Sequence, residues 1–349
     1  MTSVWNDTTR TLQLEFDQTQ VIDSLTPVFR FPLTVECTTS AHTTTTTVEI
    51  NQLKQTLNIP LPEKPLMVIP DRGKNVLATF DWQKVVPEYV FQLGHASDVA
   101  DRITAARELQ ANNKTPAVFD ALTSSGLHDH FWAVRQEALL ALATSDDLRK
   151  KDVFLQASRD VHSSVRATAV AELSHFHDED VATAVWNEAL TDSSYLVLSS
   201  CIGSLVKIDS VRGFDLAARC VGLESYRDIV RRAALQAFVR LKDPRAIPFA
   251  LTYTAISVPV DLRIRAVEIL SAAGTGNPES EKRLMDLVDD ASSSVRSAAI
   301  EGLASRGDAG ARSIITKRQH VETDGAVKKA IEKALETLSS ATSDPPGEK

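Results

Sequence analysis

Cysteine is scarce in this chain. Only Cys37, Cys201 and Cys220 occur in 349 residues, far apart and with no CxxC pair. An odd, unpatterned set argues against a disulfide framework and points to a reducing compartment. Lys and Arg form no block, and the net charge is -8, so nucleic acid is not expected as a main partner. No apolar run approaches the ~18 residues of a membrane span, so no membrane partner is expected. The first 30 residues carry neither the basic nor the apolar region of a signal peptide. Cytoplasmic placement is the expectation, unless an upstream segment is missing.

Catalytic signatures are also missing. No His is followed by Glu, which removes HExxH, the commonest zinc-peptidase helix. There is no Gly-rich phosphate loop and no Gly-x-Ser-x-Gly elbow. The chain is therefore expected to hold no catalytic residue, no metal ligand set and no cofactor of its own. What is present is a foldable composition, 43% hydrophobic and 24% charged. The length exceeds one ordinary core, so several domains or a repeat array is expected.

Residues 1–84 read as strands. Leu12, Leu14 and Phe16 alternate with polar residues, as do Phe29, Phe31, Leu33, Val35 and Cys37; period two marks a half-buried strand. The Thr-rich stretch 43–50 is β-prone. Leu57–Ile59 and Leu66–Ile69 are short apolar runs among Pro60, Pro62, Pro65 and Pro70, and such prolines fit strand ends and edges. Asp71–Lys74 reads as a turn, with Val76–Phe80 as a further strand. The sum is a small antiparallel β-sandwich.

From residue 85 the chain repeats. Arg102, Arg135, Arg166, Leu198, Arg231, Arg263, Arg296 and Lys328 are separated by 33, 31, 32, 33, 32, 33 and 32 residues. Three residues after each stands a small or apolar residue: Ala105, Ala138, Ala169, Cys201, Ala234, Ala266, Ala299 and Ile331. Seven after each stands Leu109, Leu142, Leu173, Leu205, Phe238, Leu270, Leu303 or Leu335. Those offsets put all three on one helix face. Each period has room for two helices. Thr115-Pro116 and Asp243-Pro244 read as helix starts, and Asp129, Asp160, Asp192 and Asp290 precede second helices and suit their dipoles. The expected fold is α+β and multidomain. It has a sandwich at 1–84, an α-solenoid of about eight HEAT-like helix hairpins at 85–338, and a disordered tail at 339–349. The period is short against the ~40–47 residues usual for HEAT repeats.

Arg and Asp recur in one frame, and neighbouring repeats stack. Arg102, Arg135, Arg166, Arg231, Arg263 and Arg296, with Asp129, Asp160, Asp192 and Asp290, are therefore read as an internal structural ladder rather than an anion site. His128/His130 and His175/His177 have nearby carboxylates, but neither pair has a third ligand at a convincing spacing. Both read as solvated turn residues. Trp132, Trp186 and Tyr195 fall on helical registers and read as packing.

The first part carries a resemblance. Val4-Trp5-Asn6-Asp7 is followed by Leu12–Phe16, Gln18-Thr19-Gln20, Phe29-Arg30-Phe31-Pro32 and Pro65–Gly73. In this order, and with a helical array after them, they resemble the region behind the catalytic domain in gluzincin aminopeptidases, the aminopeptidase N family. The resemblance implies an accessory sandwich and helical domain that covers or gates the peptide cleft and docks a catalytic peptidase domain. Zinc is then expected only in that missing domain, and none of the family's catalytic residues maps onto this chain. The alternative is a stand-alone HEAT-repeat scaffold binding a protein or peptide. A transcription-factor subunit built on the same peptidase fold shows by resemblance that the architecture can serve without catalysis. An in-frame HExxH region upstream of Met1 would separate the two.

Overall fold

The computed structural model describes residues 1–308 and 310–340. Six strands come first: β1 (Thr2–Asn6), β2 (Thr11–Asp17), β3 (Phe31–Thr38), β4 (Thr43–Ile50), β5 (Lys54–Pro60) and β6 (Met67–Ile69). Their sheet orders are β1-β2-β5 and β4-β3-β6, with every pairing antiparallel. Alternation does what it predicts. Leu12, Leu14 and Phe16 of one sheet and Leu33, Val35 and Cys37 of the other are buried in a common core with Ile50, Ile59, Leu61 and Val68. Gln18 and Gln20 pin the loop that follows β2. Gln18 Nε2 donates to the Phe29 carbonyl at 3.0 Å while its Oε1 accepts the Phe29 N–H at 2.9 Å. Gln20 Nε2 donates to the Gln18 Oε1 at 3.0 Å.

Two expected strand features differ. Phe29 lies before β3 and is half exposed. Val76–Phe80 forms no strand. Asp71 and Lys74 adopt φ of 52° and 55° in the turn ahead of it, and the Asp71 carboxylate takes the Asn75 and Val76 N–H groups at 2.9 and 3.0 Å. Those amides are withdrawn from any ladder, and Val76 and Phe80 instead pack against the sandwich core.

Sixteen α-helices follow among the described residues. They are α1 (Val86–His95), α2 (Val99–Leu109), α3 (Pro116–His128), α4 (Trp132–Ala143), α5 (Lys150–Ala157), α6 (Ser163–Leu173), α7 (Glu179–Thr191) and α8 (Tyr195–Ile208). Then come α9 (Ser210–Cys220), α10 (Ile229–Leu241), α11 (Ile247–Tyr253), α12 (Val260–Ala273), α13 (Pro278–Leu287), α14 (Ser293–Arg306), α15 (Ala311–Val321) and α16 (Gly325–Ser340). They form eight consecutive pairs, the hairpins of a HEAT-repeat solenoid behind small antiparallel sheets. Every frame position lies on a second, even-numbered helix. The small residues Ala105, Ala138, Ala169, Cys201, Ala234, Ala266 and Ala299 are fully buried, as are Leu109, Leu142, Leu205, Phe238, Leu270 and Leu303. Each such Leu is worth roughly 1.5–3 kcal/mol of burial, and the small residue lets the paired helix approach.

Some helix starts differ from expectation. Thr115 precedes α3 without accepting a side-chain cap bond. Asp243 caps a 3-10 turn, Pro244–Ala246, rather than α11 itself. Ser339 and Ser340 belong to α16, and the rest of the expected tail lies outside the described residues.

By compactness the chain divides into Met1–Val165 and Arg166–Lys349, inside α6. The first unit joins its sheets to its helices through buried charge. Lys84, 6% exposed, lies 3.3 Å from Glu88 and donates to Gln92 Oε1 at 2.6 Å and to the Val68 carbonyl. Glu88 accepts the Val68 N–H of β6 at 3.0 Å. Burial pushes the Lys84 ammonium down and the Glu88 carboxyl up. Their hydrogen bonds to β6 fix where α1 starts.

Candidate binding surface

The repeated Arg and Asp residues meet across consecutive hairpins. In the first unit, Arg102 Nε and Nη2 donate to the two Asp129 oxygens at 2.7 and 3.1 Å. Arg135 makes the same two bonds to Asp160, both at 2.7 Å. In the second unit, Arg166 holds Asp192 at 2.6 and 3.1 Å, and Arg263 Nη2 bonds Asp290. The planar guanidinium suits this two-pronged grip on a carboxylate. The third edge of the Arg ties back to its own turn: Arg135 Nη1 donates to the Asp129 carbonyl at 2.8 Å and Arg296 Nη1 to that of Asp290 at 2.9 Å.

Each Asp also closes a turn. Asp129, Asp160, Asp192 and Asp290 accept the N–H two residues on, from Phe131, His162, Ser194 and Ser292, at 2.7–2.8 Å. These amides belong to the residue just before each second helix, so the Asp fixes the entry turn rather than capping helical N–H groups. At Asp160, burial raises the carboxyl, but the Arg135 hydrogen bonds, the His162 N–H and the Arg135 charge outweigh it, leaving it below its ordinary value. Asp192 is lowered in the same way by Arg166 and the Ser194 N–H against burial.

One rung uses a different acid. Arg296 Nε and Nη2 donate to Glu322 at 2.8 and 2.9 Å, and Arg318 adds a bond to Glu322 at 2.8 Å. The Thr323 and Asp324 N–H groups donate to it at 3.0 and 2.9 Å. These contacts, Arg296 foremost, pull Glu322 down to about 2. The spacing contained this residue, since Glu322 lies 26 positions after Arg296 as Asp192 lies after Arg166. A reading confined to Asp passes over it.

The ladder breaks in the middle of the second unit. Leu198 stands where an Arg would reach the turn 221–228, and that turn's Glu224 side chain is exposed. Arg231 finds no acid in the next turn, where 256–258 reads Ile-Ser-Val. It folds back on Asp228 of its own hairpin at 3.0 Å, leaving its buried Nε without a partner. Freed of the Asp turn, Arg227 and Asp228 both take φ of 54°, in the left-handed region. The two turns that receive no rung display apolar side chains: Leu223 and Tyr226 in one, Ile256 and Val260 in the other. Tyr226 is 80% and Ile256 75% exposed. Tyr195 and Leu196, at the start of α8, are also exposed, so Tyr195 is a surface residue and not packing. Of the turns where rungs close, 289–292 and 322–324 consist of Asp, Ala, Ser, Glu and Thr, while Val161 beside Asp160 is 93% and Phe131 near Asp129 is 39% exposed.

The histidines are placed apart from any cluster. His128 ends α3, and with His130 it lines an open groove of about 770 Å³ whose Asp129, Arg135 and Asp160 already belong to the ladder. His175 and His177 are exposed between α6 and α7, with His175 Nδ1 3.1 Å from the Glu172 carbonyl. Among the described residues, no three His, Cys, Asp or Glu are grouped to hold a metal. Trp132 stacks on His162, centroids 4.2 Å apart and planes 5° from parallel. Trp186 sits 5.9 Å from the Arg219 guanidinium. All three thiols are free and buried. Burial, with the charges of Glu88 and Glu36, pushes Cys37 up to about 12. No helix among the described residues is long and apolar enough to cross a membrane.

A family model of HEAT repeats matches residues 88–174 and 257–336. The stretch between the two matches contains both breaks in the ladder. No curated protein matches the sequence. Among solved structures, the chain is similar to YibA of Escherichia coli at 16% identity and a TM-score of 0.47, over 70% of this chain and 98% of that one. It is also similar to the complex of CpcE and CpcF of phycocyanin lyase from Nostoc sp. PCC7120, at 18% identity and a TM-score of 0.42, over 76% and 98%. A third is Legionella pneumophila aminopeptidase A in complex with aspartic acid, at 11% identity and a TM-score of 0.40, covering 96% of this chain and 48% of that one. At these TM-scores none of the three carries an argument about function. The helical part of this chain is a HEAT-repeat solenoid preceded by a small β region.

Proposed function

We propose that the chain is a non-catalytic, cytoplasmic protein-binding scaffold, and that its partner docks on the turns of the hairpins α7–α8, α9–α10 and α11–α12. The observation that carries this reading is the exposed apolar set Tyr195, Leu196, Leu223, Tyr226, Ile256 and Val260, on three successive turns. Single exposed apolar residues are ordinary, but a run of them on consecutive repeats is the mark of an interaction surface. Tyrosine in particular supplies contact area at little entropic cost. The ladder residues support the same reading by elimination, since their charges are spent on holding repeats together. Three buried, unpaired thiols support the reducing compartment. The test is site-specific photo-crosslinking in cells. A crosslinker at position 226 should trap a defined protein that one at the exposed position Lys282 does not. Equal, diffuse trapping at both positions would count against the reading.

A second reading is an accessory region of an aminopeptidase N-like zinc metallopeptidase that gates its peptide cleft and docks its catalytic domain. It is supported by the order of parts, a six-stranded β region with the Gln18-Thr19-Gln20 pin ahead of a helical array. Sequencing the coding region ahead of Met1 tests it. An in-frame HExxH domain is the expected result, and a stop codon there contradicts it.

A further inference from the structure

The sandwich has four edge strands, and three of them are protected. β6 is three residues long and lies between Pro65 and Pro70. β5 starts at Lys54 and ends at Pro60, and β1 is only five residues. Short strands, prolines and lysines are the usual means of preventing edge-to-edge pairing. β4 has none of them. It is eight residues of sequence Thr-Thr-Thr-Thr-Thr-Val-Glu-Ile, paired to β3 over an unbroken register from Thr38↔Thr43 to Phe31↔Ile50, without a bulge. Among the described residues, nothing outside β3 is hydrogen-bonded to the backbone of Thr43–Val48.

We propose that β4 is a pairing edge for a second copy of this chain, joined antiparallel about a two-fold axis at Thr45. The occupant follows from complementarity. In that register Thr43 faces Thr47 of the other copy, Thr44 faces Thr46, and Thr45 faces itself. Odd positions share the exposed face in both copies, and even positions share the inner one. The sheet already shows this pairing working: the hydroxyls of Thr34 and Thr47, and of Thr38 and Thr43, bond across the β3–β4 pair at 3.0 Å. The strand's one charge, Glu49, falls opposite Ala41, so the two carboxylates never face each other. Joining the copies turns two three-stranded sheets into one six-stranded sheet and satisfies both open backbone edges.

Sedimentation equilibrium of the full chain over a wide concentration range tests the proposal, beside Thr45→Lys. The expected result is a monomer–dimer equilibrium whose association constant falls several-fold in the variant, where two lysines meet on the axis. Hydrogen exchange of the wild-type chain provides a second reading that needs no variant. Amides of residues 43–48 should exchange more slowly at high concentration, while those of β5 do not change. A chain that stays monomeric throughout overturns the proposal and leaves the edge to an extended peptide from another protein. A dimer indifferent to Thr45→Lys, with unchanged β4 exchange, overturns it as well.

Discussion

Arg135 and Asp160 lie edge to edge, with both guanidinium–carboxylate bonds at 2.7 Å and both side chains 9% exposed. The pair links α4 to the turn before α6, and the same carboxylate orders that turn through the His162 N–H. One acid therefore serves two repeats at once.

Removing one member leaves the other buried and unpaired. Arg135→Ala should lower unfolding free energy by roughly 3–5 kcal/mol, the usual cost of breaking a buried ion pair. Arg149→Ala, which removes exposed pairs with Asp147 at 2.7 Å and Asp120 at 3.4 Å and a stack over Phe119, should cost much less, because water already screens those charges. Urea unfolding of both variants checks the contrast.

Glu322 makes acid stability predictable in sign. Its carboxyl falls from the ordinary 4.5 to about 2 in the fold, through Arg296 first and then the Asp324 N–H and Arg318. A lowered folded value gives stability that is complete above 4.5 and is lost as pH falls toward about 2. Urea midpoints across that window should decline in the wild type and decline less in Glu322→Gln.

Two glycines should respond with opposite signs. A Cβ at Gly213 would lie 2.7 Å from the backbone N of Val206, which cannot move aside. Gly213→Ala should destabilise by about 1–3 kcal/mol or more through overpacking of α8 against α9. Gly203, inside α8, has nothing within 4 Å of its would-be Cβ. Gly203→Ala should stabilise by roughly 0.4–1 kcal/mol. Thermal melts of the two variants give the comparison.

The histidine pairs should be silent. His175→Ala with His177→Ala removes two exposed side chains. Melting temperatures with and without zinc should match those of the wild type. A zinc-dependent loss on substitution would revive a metal site.

Much of the fold was legible because it is periodic. Ala138 and Leu142 follow Arg135 at helical offsets, and Asp160 recurs at the spacing that a stacked repeat requires. What escaped depends on neighbours. Val76–Phe80 alternates like a strand, but the Asp71 side chain captures the amides such a strand would need. Glu322 escaped because one more methylene reaches the same guanidinium, and a search by residue type misses it. Tyr195 escaped because an aromatic on a helix register reads as packing, whereas it stands 47% exposed at the start of α8. Exposure depends on tertiary neighbours that a register does not contain, and Tyr226 is 80% exposed.

The central claim is that the exposed apolar turns of the hairpins α7–α8, α9–α10 and α11–α12 are where a partner binds. Isothermal titration of the crosslinked partner, once purified, into the wild-type chain and into Tyr226→Asp/Ile256→Asp measures this most directly. The account predicts saturable binding to the wild type and its loss in the variant, with the melting temperature unchanged. Equal affinity for both proteins would contradict it.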